Sequence, residues 1–382
     1  MLARAENLAV DDVTIARVEA IPLRIPLRSP FKIASGGARS VVEIVIVRLH
    51  TKSGITGIGE TQAWRRQGSS ETLAGLIEAI EKHFTPHLLG ASAFDSAKVM
   101  AALGESLWHS SYPQAAIADA LLDIQGKLLN VPAYQLLGGR CRDGVPACAV
   151  LPMKETIEET VDNAERLVGI GFRTFAIKVG TDLDNDVKLV RGIRERLQDR
   201  AILRVDANAG MSFDQALTLL RKIEPYEVEA AEQLIGLWDL EGMAELARRS
   251  SIPMIADECV SDEHSLMAVI RHRAARAIQT KIAKNGGVWA CKKLWTIAAA
   301  ADLSICPGNH PSTSIATMGV AHLATAWQGP ILDGPFTVGI ADVLAEDVVR
   351  EPVRTGHLVR VSEAPGLGVE LDDDRIRHLR VQ

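Results

Sequence analysis

Three acidic residues, Asp206, Glu232 and Asp257, each close a short apolar run, and two lysines, Lys178 and Lys281, bracket them. The five recur about every 25 residues, the length of one strand, one loop and one helix in a (β/α)8 barrel. Charges at five consecutive strand ends converge on one mouth, because barrel active sites lie at the carboxyl ends of the strands. Three carboxylates make an oxygen-only site for a hard cation, Mg2+ first and Mn2+ as the other candidate. The lysines then stand as acid and base. A nearby cation and a second ammonium depress a lysine pKa, which makes neutral amine available near pH 7. A carboxylate substrate held on the cation has a more acidic α-proton, since the developing enediolate charge falls on oxygens that the metal neutralises.

A strand-end Asp often does no more than cap the next helix. Glu is a poor capping residue, and an acid on three successive strands exceeds what capping explains. Side chains alternate along a strand, so Arg204 shares a face with Asp206, Ala230 with Glu232, and Ile255 with Asp257. Lys284 falls beyond its strand, in the following loop, and reads as a structural or ion-pairing residue. The candidates for substrate contact are Asn208, Trp64, His310 and Ser312. His310 and Ser312 lie in the loop after the seventh barrel strand, where a lone histidine is more often an orienting residue than an acid.

The elements that must position these residues follow from pattern. Residues 18–23 and 41–49 read as strands, the second rich in β-branched side chains, with a polar, Gly-containing loop at 28–37 between them. A third strand is expected at 55–60, and helices over most of 70–137. From about residue 144 strands and helices alternate. Strands are predicted at 146–151, 174–178, 201–206, 228–232, 254–257, 277–281 and 303–306, and near 331–332. About eight repeats, and no GxGxxG after an early strand, favour a barrel over a doubly wound sheet. The expected organisation is a leader (1–13), an α+β capping domain (14–140), a barrel catalytic domain (141–345) and a C-terminal segment (346–382) packing back on the cap.

Composition sets the outer limits. The chain has 382 residues, 47% hydrophobic and 24% charged, ordinary values for a globular enzyme. A formal charge of −6, from 42 basic and 48 acidic residues, gives no basic surface for nucleic acid. Five cysteines without a CxxC pair argue against a disulfide framework and for a reducing, cytoplasmic setting. The apolar stretch 315–327 is too short to span a bilayer, so no membrane partner is expected.

The chain resembles the enolase superfamily, and within it the muconate-lactonizing subgroup of the mandelate racemase/muconate lactonizing enzyme family. The resemblance rests on Lys281-Ile282-Ala283-Lys284-Asn285-Gly286-Gly287 and Ala256-Asp257-Glu258. Leu136-Leu137-Gly138-Gly139-Arg140, Ala364-Pro365-Gly366-Leu367-Gly368 and the segment 118–127 support it. It implies an α/β protein with a modified (β/α)7β barrel under an N-terminal α+β cap. It also implies Mg2+ on Asp206, Glu232 and Asp257, acid–base chemistry at Lys178 and Lys281, a small carboxylate substrate and a homo-oligomer. The loops 30–37 and 64–66 fall where the family's cap covers the barrel mouth.

The departures from the family pattern lie around the acid–base pair. Ala176 stands where members commonly have the first lysine of Lys-x-Lys. Glu232 is followed by Gln233-Leu234 rather than Gln-Pro. Ser312 aligns with a glutamate of muconate cycloisomerases. Leu332-Asp333-Gly334-Pro335 does not match the Asp-x-Asp of dipeptide epimerases. The expectation is therefore a cycloisomerase-like isomerase. Racemisation or epimerisation of an amino-acid derivative, or a barrel that only binds metal and ligand, are the alternatives.

Overall fold

The computed structural model describes residues 13–33, 36–65, 69–152, 154, 156–332, 336–337, 343–353 and 356–381. The chain opens with a long antiparallel hairpin, β1 (Ile15–Ile33) and β2 (Gly36–Thr51), and β3 (Thr56–Gln62) pairs antiparallel with β2. The polar segment expected as a loop at 28–37 instead continues the hairpin. Pairing breaks after Pro26↔Val41 and resumes at Phe31↔Arg39. Pro26 and Pro30 have no N–H for the ladder, so they shift the register without ending the strand. Ala34 and Ser35 lie outside the described residues, as do residues 1–12 of the expected leader.

Helices then cover this sheet. They are α1 (Leu73–Glu78), continued by a π-helical stretch (Ala79–Phe84) into α2 (Thr85–Leu88), then α3 (Ser96–Ser106), α4 (Ser111–Leu129) and α5 (Ala133–Leu136). The β3 backbone lies directly on α4. A Cβ at Gly57 would stand 2.1 Å from the Ala120 carbonyl oxygen, and one at Gly59 1.9 Å from that of Ala116. Glycine is needed at both positions for that approach.

The second half alternates strand and helix. In order these are β4 (Val145–Leu151), α6 (Ile157–Gly169), β5 (Thr174–Lys178), α7 (Leu183–Leu197), β6 (Ile202–Asp206), α8 (Phe213–Ile223), β7 (Val228–Glu232) and α9 (Leu240–Arg249). Next come β8 (Met254–Ala256), α10 (Glu263–His272), β9 (Ala277–Lys281), α11 (Ile282–Asn285), α12 (Val288–Ala300), β10 (Ser304–Gly308) and α13 (Ser314–Ala326). The strands from β4 to β10 are parallel neighbours in chain order. Thr156, Asp182, Ser212, Asp239, Asp262 and Thr313 each accept a hydrogen bond from the first turn of the helix that follows. These N-caps end each connecting loop and free the strand-end side chains for other work.

The eighth strand, expected near 331–332, is divided. Ile331 bridges Ile305 of β10, and β11 (Phe336–Thr337) pairs with Ala147 and Cys148 of β4. Residues 333–335, including Asp333, lie outside the described residues. The two pieces link the sheet edges, and β12 (Leu358–Val359) adds antiparallel to β4. A last helix, α14 (Asp373–Leu379), lies by the cap hairpin, where Arg48 pairs with Asp373. Among the described residues no helix is long and apolar enough to cross a membrane.

Candidate active site

Register brings the charges together. Lys178 of β5 is paired with Asp206 of β6, and Asp206 with Glu232 of β7. Asp257 lies one residue past β8, and Lys281 ends β9. All five side chains are buried at the carboxyl end of the sheet. The backbone just beyond is contorted, with Asn208 at φ 45°, Ala209 at φ 59° and Gln233 at φ 29°. Non-glycine residues in the left-handed region cost about 1–3 kcal/mol each and cluster at functional sites. Here side chains hold the strain. The Asp206 carboxylate accepts from Asn208 N at 2.7 Å, and Gln233 Oε1 accepts from the backbone N–H of Asp257 and Cys259 at 3.1 and 3.3 Å.

The lysines divide the acids between them. Lys178 Nζ donates to Asp206 and, at 3.0 Å, to Asn208 Oδ1. Lys281 Nζ donates to Asp257. Lys284 sits on α11 and not in a loop, and it donates to the second Asp257 oxygen at 2.8 Å and to the Gln279 carbonyl at 3.1 Å. Burial opposes the Asp257 charge, but Lys281 and Lys284 outweigh it and hold the carboxyl well below its usual range. Glu232 is pushed the other way, by burial and then by the charges of Asp206 and Asp257. Burial, then the Asp257 charge, lifts Glu258 to about 7.

The expected depression of the lysine pKa values is not met by these groups alone. Burial lowers both, yet the carboxylates, Asp206 for Lys178 and Asp257 for Lys281, outweigh it and raise them. The sequence argument counted a cation and a second lysine. It missed how tightly the acids grip each ammonium once buried.

Among the described residues no three acids, histidines or cysteines are gathered as a ready cage for an ion. The reason is visible: Asp206 and Asp257 are turned toward lysines. The donor set itself suits a hard divalent cation, being three buried carboxylates on neighbouring strands. One of them, Glu232, is pressed by like charge that a cation relieves.

The first half of the chain matches the family model for the mandelate racemase / muconate lactonizing enzyme N-terminal domain over residues 15–138, and the second half matches the enolase C-terminal domain-like model over 159–375. The chain belongs to the mandelate racemase/muconate lactonizing enzyme family of the enolase superfamily. An N-succinyl-L-Arg/Lys racemase of Bacillus cereus is 30% identical over 373 residues, covering 96% of this chain and 98% of that protein. A chloromuconate cycloisomerase of Cupriavidus pinatubonensis is 31% identical over 365 residues, covering 92% and 95%. The crystal structure of muconate lactonizing enzyme from Pseudomonas fluorescens complexed with muconolactone aligns with a TM-score of 0.92 at 30% identity, covering 97% of this chain and 100% of that one. The chemistry of this chain is of the isomerase type.

In this family member the cap contributes a lid. Trp64, just after β3, lies against His310 with ring centroids 4.5 Å apart and planes tilted by 37°, and Tyr112 at the start of α4 stacks over the same imidazole at 6.0 Å. The Arg39 guanidinium covers the other partner, 4.7 Å from the Trp64 ring. Arg66, in the same expected lid segment as Trp64, lies outside the described residues. Burial, and then the Lys281 charge, keep His310 well below its ordinary pKa, so the imidazole is neutral. His310 Nδ1, Ser312 Oγ and Asn309 Nδ2 are buried with no hydrogen-bond partner, as is Glu258 Oε2. Beyond them, Glu60 of β3 accepts from Thr313 N at 3.0 Å, Thr313 Oγ1 at 2.5 Å and Ala316 N at 3.2 Å, tying the cap to the start of α13.

The structure thus sets Asn208 on Lys178 and His310 under Trp64 within reach of the Lys281 and Asp257 charges, while Ser312 is buried two residues on from His310. The sequence reading missed Glu258, Gln233, Gln279, Asn309, Arg39 and Tyr112. Gln279 was within reach, since it lies two residues before Lys281 and so on the same strand face. Tyr112 and Arg39 had no such signal, because tertiary packing alone brings them to the mouth.

Proposed function

We propose that the protein is a Mg2+-dependent isomerase of the muconate-lactonizing type, with Mn2+ as the alternative cation, acting on a small carboxylate. In this reading residues 14–140 cap a catalytic barrel of residues 141–345. The observation that carries it is the buried pair Lys178 and Lys281. They stand on strands four apart in an eight-strand ring, with three buried acids on the strands between. Asp206, Glu232 and Asp257 would hold the ion, which when bound supplies electrostatic stabilisation of charge developing on the substrate carboxylate.

The chain's own residues do the rest. One lysine takes or delivers the α-proton, and the other stands on the opposite face of the substrate. Asn208 fixes Lys178 through its Oδ1. Trp64, His310 and Ser312 close the site from above and exclude water, with neutral polar atoms toward the substrate. Racemisation or epimerisation is the second reading. It is favoured by the near symmetry of the lysines, both buried and both hydrogen-bonded to an acid of the triad. Family resemblance and cysteine usage support a cytoplasmic homo-oligomer, which sedimentation showing a stable monomer would refute.

The deciding experiment is proton exchange by NMR in deuterated water over a panel of small carboxylic acids with Mg2+. A racemase washes deuterium into the α-position of both enantiomers. A cycloisomerase shows exchange only together with lactone formation. No exchange with any acid that binds overturns the reading.

A further inference from the structure

Inside the barrel, below the ring of charges, lies a second polar layer. Gln279 of β9 is buried and paired in register with Cys306 of β10. Its amide joins two groups. The Cys306 thiol donates to Gln279 Oε1 at 3.0 Å, and Gln279 Nε2 donates to Glu232 Oε1 at 2.6 Å. Arg204, buried on β6, places its guanidinium 3.8 Å from Cys306 Sγ and bonds Glu229 at 2.5 Å.

An amide has one donating and one accepting end, and an ionised carboxylate only accepts. Nε2 faces Glu232 at 2.6 Å, the end that a carboxylate ionised on a cation would need. The thiol donating to the other end opposes the flipped amide. Gly308 completes the slot, for a Cβ there would stand 2.9 Å from Gln279 Cδ and 3.0 Å from Cγ. No side chain at position 308 leaves the amide where it is.

The three acids are thus held by different means. Asp206 and Asp257 are gripped by lysines, which cancel their charge. Glu232 is held by a neutral amide, which orients it without a countercharge. We propose that Gln279, locked by Cys306 and Gly308, is the positioning residue that presents Glu232 to the metal ion. This rests on the reading above that Glu232 is a ligand. Groups that orient a metal ligand typically matter by 10–100-fold in affinity.

The test uses the full-length protein and Mn2+ as the probe, titrated by electron paramagnetic resonance. Gln279→Leu and Gly308→Ala should each weaken Mn2+ binding by about 10–100-fold in protein that still unfolds cooperatively. Cys306→Ser keeps a donor and should bind close to wild type, while Cys306→Ala should fall between. In the metal-free protein the Cys306 S–H infrared stretch, identified by its loss in Cys306→Ser, should move to higher frequency in Gln279→Leu. A purely structural role would leave the metal titration and its rescue by serine unmoved.

Glu232→Gln serves as the reference. If it loses Mn2+ while Gln279→Leu and Gly308→Ala stay within about twofold of wild type, the positioning role is overturned. If Glu232→Gln itself binds normally, the ligand assignment fails, and the inference falls with it. Should Gln279→Leu not fold, Gly308→Ala carries the same comparison, because it moves the amide without removing a polar group.

Discussion

The ring of strand ends and the lid above it are both buried, yet they are opposite in electrical character. The ring pairs Lys178 with Asp206, and both Lys281 and Lys284 with Asp257. The lid offers an indole, a phenol, a neutral imidazole and an unpaired hydroxyl, from Trp64, Tyr112, His310 and Ser312. Charge in the ring is interdependent, so removing one member leaves another uncompensated. The lid has no such coupling, so its members act through shape and single hydrogen bonds. Substitutions in the ring should therefore stop the chemistry or destabilise the fold, while those in the lid should change which substrate is held.

The largest effect that could break this contrast is at the lysines. Lys178→Ala and Lys281→Ala should each lower turnover by roughly 10²–10⁴-fold, the usual contribution of a positioned acid or base. In a racemase each mutant should keep α-proton exchange for one enantiomer only, and for opposite ones. In a cycloisomerase one lysine should dominate. Full exchange in both mutants, followed by NMR in deuterated water, would put the proton on another group such as His310.

The acids should then separate among themselves. Asp206→Asn, Glu232→Gln and Asp257→Asn should all lose Mg2+ affinity by calorimetry. In the metal-free protein, Asp257→Asn leaves two buried ammoniums short of a partner, a loss worth roughly 3–5 kcal/mol. Glu232→Gln replaces a carboxyl whose ionised form burial and its acidic neighbours already oppose, and should cost little or stabilise. Equal denaturant midpoints for the two variants would show that the ring is not coupled in the way described.

That ring was legible in the sequence because it repeats with the barrel. Spacing located Lys178, Asp206, Glu232, Asp257 and Lys281, and their register follows from parallel pairing alone. The lid was legible only in part. Trp64 and His310 could be suspected from their loops, but setting one against the other depends on how the cap is docked. That docking is set by contacts such as Glu60 on Thr313, far apart in the chain. The long hairpin was misjudged for a local reason: a polar, Gly-containing stretch signals a loop, yet two paired strands carry it here past a register shift.

A smaller effect is expected at Trp64. Its contact with His310 and the Arg39 guanidinium over its ring make it a contact surface with no proton to move. Aromatic pairs are worth about 0.5–1.5 kcal/mol beyond burial. Trp64→Ala should raise KM several-fold and leave kcat close to wild type. A drop in kcat with KM unchanged would place the lid in the chemistry.

The smallest effect tests the neutrality of the lid directly. His310 is buried, and burial together with Lys281 keeps its folded pKa well below the unfolded value of 6.5. As pH falls below 6.5 the unfolded chain takes up a proton that the folded chain refuses, so folded stability declines. The loss grows with each step of pH below 6.5 for as long as the folded imidazole stays neutral. His310→Gln has no such group. The stability difference between wild type and variant should therefore move against the wild type as pH falls from about 7.5 to about 5.5. Denaturant unfolding at the two pH values measures it, and the other titrating groups largely cancel because both proteins share them. An unchanged difference would mean that His310 protonates in the folded protein as readily as in the unfolded one. The lid would then carry charge at acid pH, and the electrical contrast with the ring would hold only near neutrality.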